Sequence, residues 1–468
     1  MEIDVRINAR EYVAELMERA RKAQKTAESY SQERVDELVT AIAWNAVKES
    51  NAARLAKMAV DETKLGNYEG KYKKLTKKTR GVLREMKNAK SVGVIETDKE
   101  KGLLKIAKPV GIIGAILPCT NPCVTPVLKA MWAIKGRNAA VMCPHPRSKN
   151  TTGEVINVLR DTLRRYDAPE DLLICIENPS IEISNEVMRQ CDLIVATGGS
   201  NMVKAAYSSG KPAYGVGVGN AVSLIDETAD IKDAAHKIML SKTNDLASGC
   251  STENSLIIHS SVCEKMLDAL IGEGAYLVNE DEKERLMNTM WVDGHLNPDI
   301  IAQSAVRIAA VAGIIIPDDR TFIIVEENGT GKGYPFSGEK LSVVLTVYKY
   351  EDFDEAIKKV NAIQSYMGAG HSCGIHSFNE DHIMKLSLET NTSRVMIRQP
   401  QNYGNAGNWD NGMPWTTTLG CGTWGGNIVS ENITWKHFIN TTWVAYPIEQ
   451  QIPSDEELFG HLMLSDPE

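Results

Sequence analysis

From residue 110 onward the chain alternates short apolar runs with amphipathic ones, and this alternation narrows the fold further than anything else in the sequence. Residues 112–117, 139–143, 172–176 and 193–196 are apolar enough for buried strands, while 122–134, 154–165, 181–190 and 201–207 carry helical spacing. Strands separated by helices in this way predict an α/β fold, its parallel sheet covered on both faces. Sheets of this kind take ligands at the carboxyl ends of their strands. The pattern then repeats, with strands predicted at 255–258, 321–325, 342–348 and 374–377 and helices at 231–241, 263–272 and 353–361. A chain of 468 residues with 43% hydrophobic content can fill the two cores this requires.

The flanking segments read differently. Spacing of Tyr12, Leu16 and Ala20, and of Val35, Leu38 and Ile42, predicts helices laid on a core. The lysine run at 71–78 extends this pattern and reads as a solvated helix face. Residues 92–96 and 103–107 predict a hairpin across a polar turn, and 441–448 a further strand. A net charge of −9 leaves no basic footprint for nucleic acid or an anionic membrane surface. With no apolar run of spanning length and an N-terminal segment that mixes acids with bases, a cytoplasmic location is expected. The nine cysteines include no CxxC pair. They are expected as reduced thiols, since Cys119 and Cys123 lack a histidine or second pair for zinc, and no metal is expected.

One cysteine stands apart. Cys250, in SGCST at 248–252, sits among residues too small to bury it, on a tight loop entering the strand 255–258 at the junction of the two α/β units. Gly249 permits close backbone approach, and nearby N–H groups suit both a thiolate and an oxyanion, so Cys250 is the candidate nucleophile. Junction clefts of this kind are favoured by cofactors and substrates. GCGTWG at 420–425 matches a dinucleotide pattern literally but follows no strand, and the glycine-rich 329–333 lacks a GK[ST] ending, so neither is read as a phosphate loop.

Taken in order and spacing, PVGIIGAILPCTNP (109–122), PHPR (144–147), ATGG (196–199), GVGVGN (215–220), the Cys250 loop, EKLS (339–342) and GAGH (368–371) resemble the aldehyde dehydrogenase superfamily. The chain is similar in particular to its coenzyme A-acylating branch, over about residues 5–450. The resemblance implies two parallel-sheet α/β domains plus a small β oligomerisation arm. Residues 1–240 would bind the nicotinamide cofactor, with 91–109 belonging to the arm; 241–430 would be catalytic, and 431–468 the C-terminal arm and tail. A homodimer or homotetramer is expected.

The same resemblance implies site roles. Asn121 and the Cys250 N–H would hold the oxyanion, and His371 would relay the proton of the incoming thiol. Pro118, His145, Arg147, Thr197, Gly198, Gly199, Gly217, Glu339 and Leu341 would meet NADP or NAD, with Glu339 at the nicotinamide ribose. Hydrolytic relatives keep a glutamate in the segment aligning with 215–220, and here that stretch has no acid. Without this base the thioacyl enzyme is left for coenzyme A, the expected cosubstrate. Glu253, three residues past the nucleophile, reads as structural. The segment 144–149 carries Arg147 and Lys149 but no carboxylate, which would admit NADP as well as NAD.

Substrate choice is expected to rest on 398–415, polar, glycine-rich and aromatic, with Arg398 pairing a substrate anion, Gln399 and Asn402 adding hydrogen bonds, and Trp409 or Trp415 excluding water. The expected substrate is a two- to four-carbon aldehyde ending in an anion, sulfoacetaldehyde ahead of succinate semialdehyde. A hydrolytic enzyme with its base elsewhere, and a non-catalytic scaffold, are the competing readings.

Overall fold

The computed structural model describes residues 9–464. Helices α1 (Ala9–Ala27), α2 (Gln32–Val47), α3 (Glu49–Thr63) and α4 (Tyr68–Met86) press Val13, Leu16, Leu38, Ile42, Leu55, Leu75 and Val82 into the first core. The hairpin β1 (Gly93–Asp98) and β2 (Leu103–Pro109) follows. Next come β3 (Ile112–Ile116), β4 (Ala139–Cys143), β5 (Leu173–Cys175), β6 (Leu193–Thr197) and β7 (Ala213–Val216), with the order β5-β4-β3-β6-β7. Each neighbouring pair is parallel. Helix α5 (Val124–Lys135), joining β3 to β4, is buried along its whole length, because α2 and α4 pack over the side it turns away from the sheet.

A second sheet takes β8 (Ala221–Ile225), β9 (Glu253–His259) and β10 (Ala275–Leu277). Beyond a short ribbon, β11 (Trp291–Val292) with β12 (His295–Leu296), it adds β13 (Phe322–Glu326), β14 (Val344–Tyr350), β15 (Cys373–His376) and β16 (Val395–Ile397). The order is β10-β13-β14-β9-β8-β15-β16, again parallel throughout. The last strand, β17 (Ile439–Ala445), pairs antiparallel with β2, so the predicted hairpin and tail strand form one arm ordered β1-β2-β17.

Two boundaries differ from those expected. The sheets part between Val216 and Ala221 rather than at 240, because β8 and the helix Ile231–Thr243 pack Ile225, Ala234 and Ile238 against Leu256 and Phe322 of the second core. Past residue 400 the chain returns to the first core, burying Trp415, Ile433, Trp435 and Phe438 there, so 241–430 does not form one body. Residues 217–220 lead directly from the carboxyl end of β7 to the amino end of β8. The carboxyl edge of the first sheet therefore faces the amino edge of the second. Among the described residues no helix is long and apolar enough to cross a membrane.

Candidate active site

Cys250 is presented by a strained turn. After the helix Ile231–Thr243, the turn Asn244–Ala247 places Asp245, Leu246 and Ala247 at φ 50, 51 and 60°, a left-handed conformation costing roughly 1–2 kcal/mol for each non-glycine residue. Asp245 holds it. Its buried carboxylate accepts Lys71 Nζ at 2.8 Å, Lys74 Nζ at 2.7 Å and the Asn67 N–H at 3.0 Å. Gly70 makes room, since a Cβ there would stand 2.5 Å from that of Asp245. Helix α4 thus clamps the turn, and the turn sets Cys250 before β9. At Gly219 a Cβ would lie 2.1 Å from the Cys250 carbonyl oxygen, so the connector can pass only as glycine.

The thiol has a partner: His371 Nε2 lies 3.2 Å from Cys250 Sγ, and its Nδ1 lies 2.9 Å from Ser372 Oγ. Burial, reinforced by Arg394, pushes His371 down to about 3, so the imidazole is neutral. Burial and then Glu339 push the Cys250 thiol up to about 11, against weaker pulls from Ser251, Arg394 and Lys78. The resting pair is therefore a neutral thiol facing a neutral imidazole nitrogen. Arg394, itself buried, donates to the His371 carbonyl at 2.7 Å and to Asn432 Oδ1 at 2.8 Å, fixing the histidine segment. One consequence can be measured directly: alkylation of Cys250 by iodoacetamide is expected to rise about tenfold per pH unit from pH 7 to 10. A plateau below pH 8.5 would contradict the raised thiol.

Pro118, His145, Thr197, Gly198 and Gly199 come together in a cleft of about 300 Å3 at the carboxyl ends of β3, β4 and β6. The helix Ser200–Tyr207 starts there, with Gly199 as a cap that has no side chain to cover its N–H groups. Gly217 lies in an adjoining cleft with Lys204, Gly368 and Cys421. Glu339 Oε1 accepts the Gly219 N–H at 3.1 Å, and burial pushes this acid up to about 8. Leu341 stands at φ 42° with its carbonyl accepting the Ala302 N–H at 2.8 Å. Arg147 is exposed and donates to the Thr63 carbonyl at 3.0 Å. The carboxylate expected to be missing here is supplied by α3. Glu62 accepts the N–H groups of Asn150 and Thr151 at 2.9 and 2.7 Å.

Asn121 Oδ1 accepts Lys74 Nζ at 3.2 Å, and the same ammonium lies 3.1 Å from Ser248 Oγ, two residues before the nucleophile. Glu253 is structural, its Oε1 accepting the Gln401 N–H at 2.9 Å. Asn402 reaches the loop, with Nδ2 2.7 Å from Thr252 Oγ1. Gln399 does not, bonding Asn411 Nδ2 at 2.9 Å instead.

Arg398 requires correction. It follows the carboxyl end of β16, donates to the Ser377 carbonyl at 2.6 Å and stacks 4.5 Å from the Phe378 ring. His371 and Cys250 lie at the amino edge, about 16 Å away at 3.3 Å per strand residue, so Arg398 cannot hold the far end of a short substrate. The lysine run is corrected in the opposite sense: Lys71 and Lys74 are only 3% and 8% exposed. The spacing 71, 74, 78 puts them on one helix face, and that periodicity was the signal available.

The chain thus presents a thiol beside a neutral imidazole, and a cleft at the carboxyl ends of β3, β4 and β6. Residues 3–290 match the aldehyde dehydrogenase family, and the chain belongs to it. Within that family its full-length relatives include acylating members. The acylating sulfoacetaldehyde dehydrogenase of Bilophila wadsworthia is 47% identical, over 96% of this chain and 98% of its own. The acetylating succinate-semialdehyde dehydrogenase of Clostridium kluyveri is 40% identical, over 96% and 99%. An acetylating aldehyde dehydrogenase from Geobacillus thermoglucosidasius superposes with a TM-score of 0.93 at 38% identity, covering 97% of this chain and 100% of that one.

Proposed function

We propose that this protein is a nicotinamide-dependent, coenzyme A-acylating aldehyde dehydrogenase acting on a small anionic aldehyde, sulfoacetaldehyde first and succinate semialdehyde second. The observation that carries the reading is the 3.2 Å contact between Cys250 and His371, facing a connector without an acid. His371 Nε2 takes the thiol proton as sulfur adds to the aldehyde carbon. The Cys250 N–H and the Asn121 amide are the donors for the resulting oxyanion. Glu339, the acid that bears on the thiol, is mostly protonated at neutral pH and so does not activate water. The acyl group on Cys250 therefore passes to the thiol of coenzyme A.

The cleft of about 300 Å3 has room for one nucleoside half of a dinucleotide. Gly198 and Gly199 place no side chain over the start of the helix Ser200–Tyr207, which leaves it open to a pyrophosphate, and Pro118, Ile181 and Met202 give apolar walls for a ring. When bound there, a nicotinamide supplies the hydride acceptor. Arg147 and Glu62 both lie at the start of the helix Lys149–Arg165, so the proposal covers NAD and NADP alike. The reduced nucleophile fits a cytoplasmic setting.

The test is product analysis with sulfoacetaldehyde and each nicotinamide, with and without coenzyme A. Thioester with coenzyme A, and little acid without it, is the expected result; acid formed equally fast without it would establish the hydrolytic reading. Assembly is proposed through the arm, whose edges β1 and β17 are open and whose Val94, Trp443, Tyr446 and Ile448 are exposed. Light scattering at micromolar concentration should give a dimer or tetramer, and a monomer alone would contradict this.

A further inference from the structure

With Arg398 at the wrong edge of the sheet, the far end of the substrate needs another cation, and the inference drawn here rests on the aldehyde-oxidising reading above. Helix α4 turns Lys74, Lys77 and Lys78 toward a small cavity whose other walls include Asn402, Tyr403 and Trp415. The charges around it cancel only in part, with Asp410 bearing on Lys77. Lys71 and Lys74 share the one carboxylate of Asp245, Lys77 Nζ lies 5.0 Å over the Tyr403 ring, and Lys78 Nζ donates to the Thr416 carbonyl at 3.2 Å. Burial, with Lys74 and Lys77 beside it, pushes Lys78 down to about 7, as befits an ammonium short of counter-charge.

A second observation is independent of charge. Trp415 is 1% exposed, and its indole N–H has no partner among the described residues, although buried donors are nearly always paired. The cavity also adjoins the nucleophile. Asn402, in its wall, bonds Thr252 and faces Gly249, where a Cβ would lie 3.6 Å from Asn402 Oδ1. Lys74 bonds Ser248, and the charge on Lys78 bears on the Cys250 thiol.

We propose that Lys77, Lys78 and the Trp415 N–H form the subsite for the sulfonate or carboxylate of the substrate, with the aldehyde carbon reaching back to Cys250. The cavity, at about 20 Å3, holds about one water-sized group, so it admits an anionic head only as the lysine side chains part, and it shuts out bulky tails. Three acceptor oxygens on a sulfonate match two ammoniums and one N–H donor. The subsite supplies locally the positive charge that a protein of net charge −9 lacks overall.

The experiment compares kcat/KM for sulfoacetaldehyde and acetaldehyde, with coenzyme A present, in Lys78→Met, Lys77→Met, Trp415→Phe and Arg398→Ala. Thermal melting checks that each variant folds. Each lysine variant is expected to lose about 10- to 100-fold more on sulfoacetaldehyde than on acetaldehyde, the range for one charged hydrogen bond. Trp415→Phe keeps the ring and should lose less, while Arg398→Ala should leave the ratio unchanged. Ethanesulfonate should inhibit the unmodified enzyme competitively and inhibit Lys78→Met at least tenfold less well, with propionate as the carboxylate probe. Equal losses on both aldehydes in the lysine variants, or undiminished ethanesulfonate inhibition, would overturn the subsite while leaving the acylating reading intact. Absence of thioester from any aldehyde in the unmodified enzyme would overturn both.

Discussion

Cys250→Ala should abolish thioester formation, lowering turnover by more than about 10⁴-fold, the scale on which removal of a covalent nucleophile is felt. The same change should barely touch stability. Cys250 is partly open and packs only from the margin against Val216, Ala406 and Leu419, so exchanging a thiol for a hydrogen costs well under about 1 kcal/mol. His371→Ala is the informative companion. It leaves the sulfur in place but removes its proton acceptor, and a loss of about 10²–10⁴-fold is expected. Turnover in Cys250→Ala at more than a hundredth of the normal rate would place the nucleophile elsewhere. Unchanged rates in both variants would remove the Cys250–His371 pair from the reaction altogether.

Asp245→Ala should be the most damaging substitution away from the thiol, destabilising the protein by about 3–5 kcal/mol. It would leave the Lys71 and Lys74 ammoniums facing each other without a carboxylate and release the left-handed turn that carries Cys250. Denaturant unfolding would read the cost, and less than 1 kcal/mol would mean that the turn holds itself. The pair also has a pH signature. Burial raises the Asp245 pKa, but Lys74 and Lys71 together hold it below its ordinary value. A depressed carboxylate stabilises above its unfolded pKa and loses that contribution as pH falls through the folded one. The contribution is thus complete at neutral pH and declines only below about pH 4.

Local pattern carried much of this structure. The expected helix at 181–190 coincides with Ile181–Gln190, and the expected strand at 139–143 with β4, because both elements bury a face whose period is written in adjacent residues. The Cys250 loop stood out for a different reason, its run of small residues at 248–252. β7 did not stand out, since Gly215 inside it and the glycines at 217 and 219 just beyond dilute the apolar run that marks a buried strand, and neither did β8, although AVSLI at 221–225 is apolar. The lysine face was misread because what buries it lies far along the chain, Asp245 being 171 residues from Lys74. Arg398 was misplaced for a related reason. A polar loop announces that it binds something, but which edge of a parallel sheet it leaves depends on strand direction, and composition does not record that.

The arm ties the order of synthesis to the order of assembly. β2 ends at Pro109 and meets Ile439 at the start of β17, and the Asn138 side chain donates to the carbonyl of Phe438, 300 residues later. A ribosome adding roughly 5–20 residues per second delivers β17 some 15–70 s after β2. Throughout that interval the hairpin has a vacant flank, and the first core lacks Trp415, Trp435 and Phe438. A chain cut short before residue 439 can build both sheets and carry its thiol, yet it never finishes the arm. Closure of the arm therefore waits for residues 439–445, so that only a chain translated nearly to its end carries all three strands.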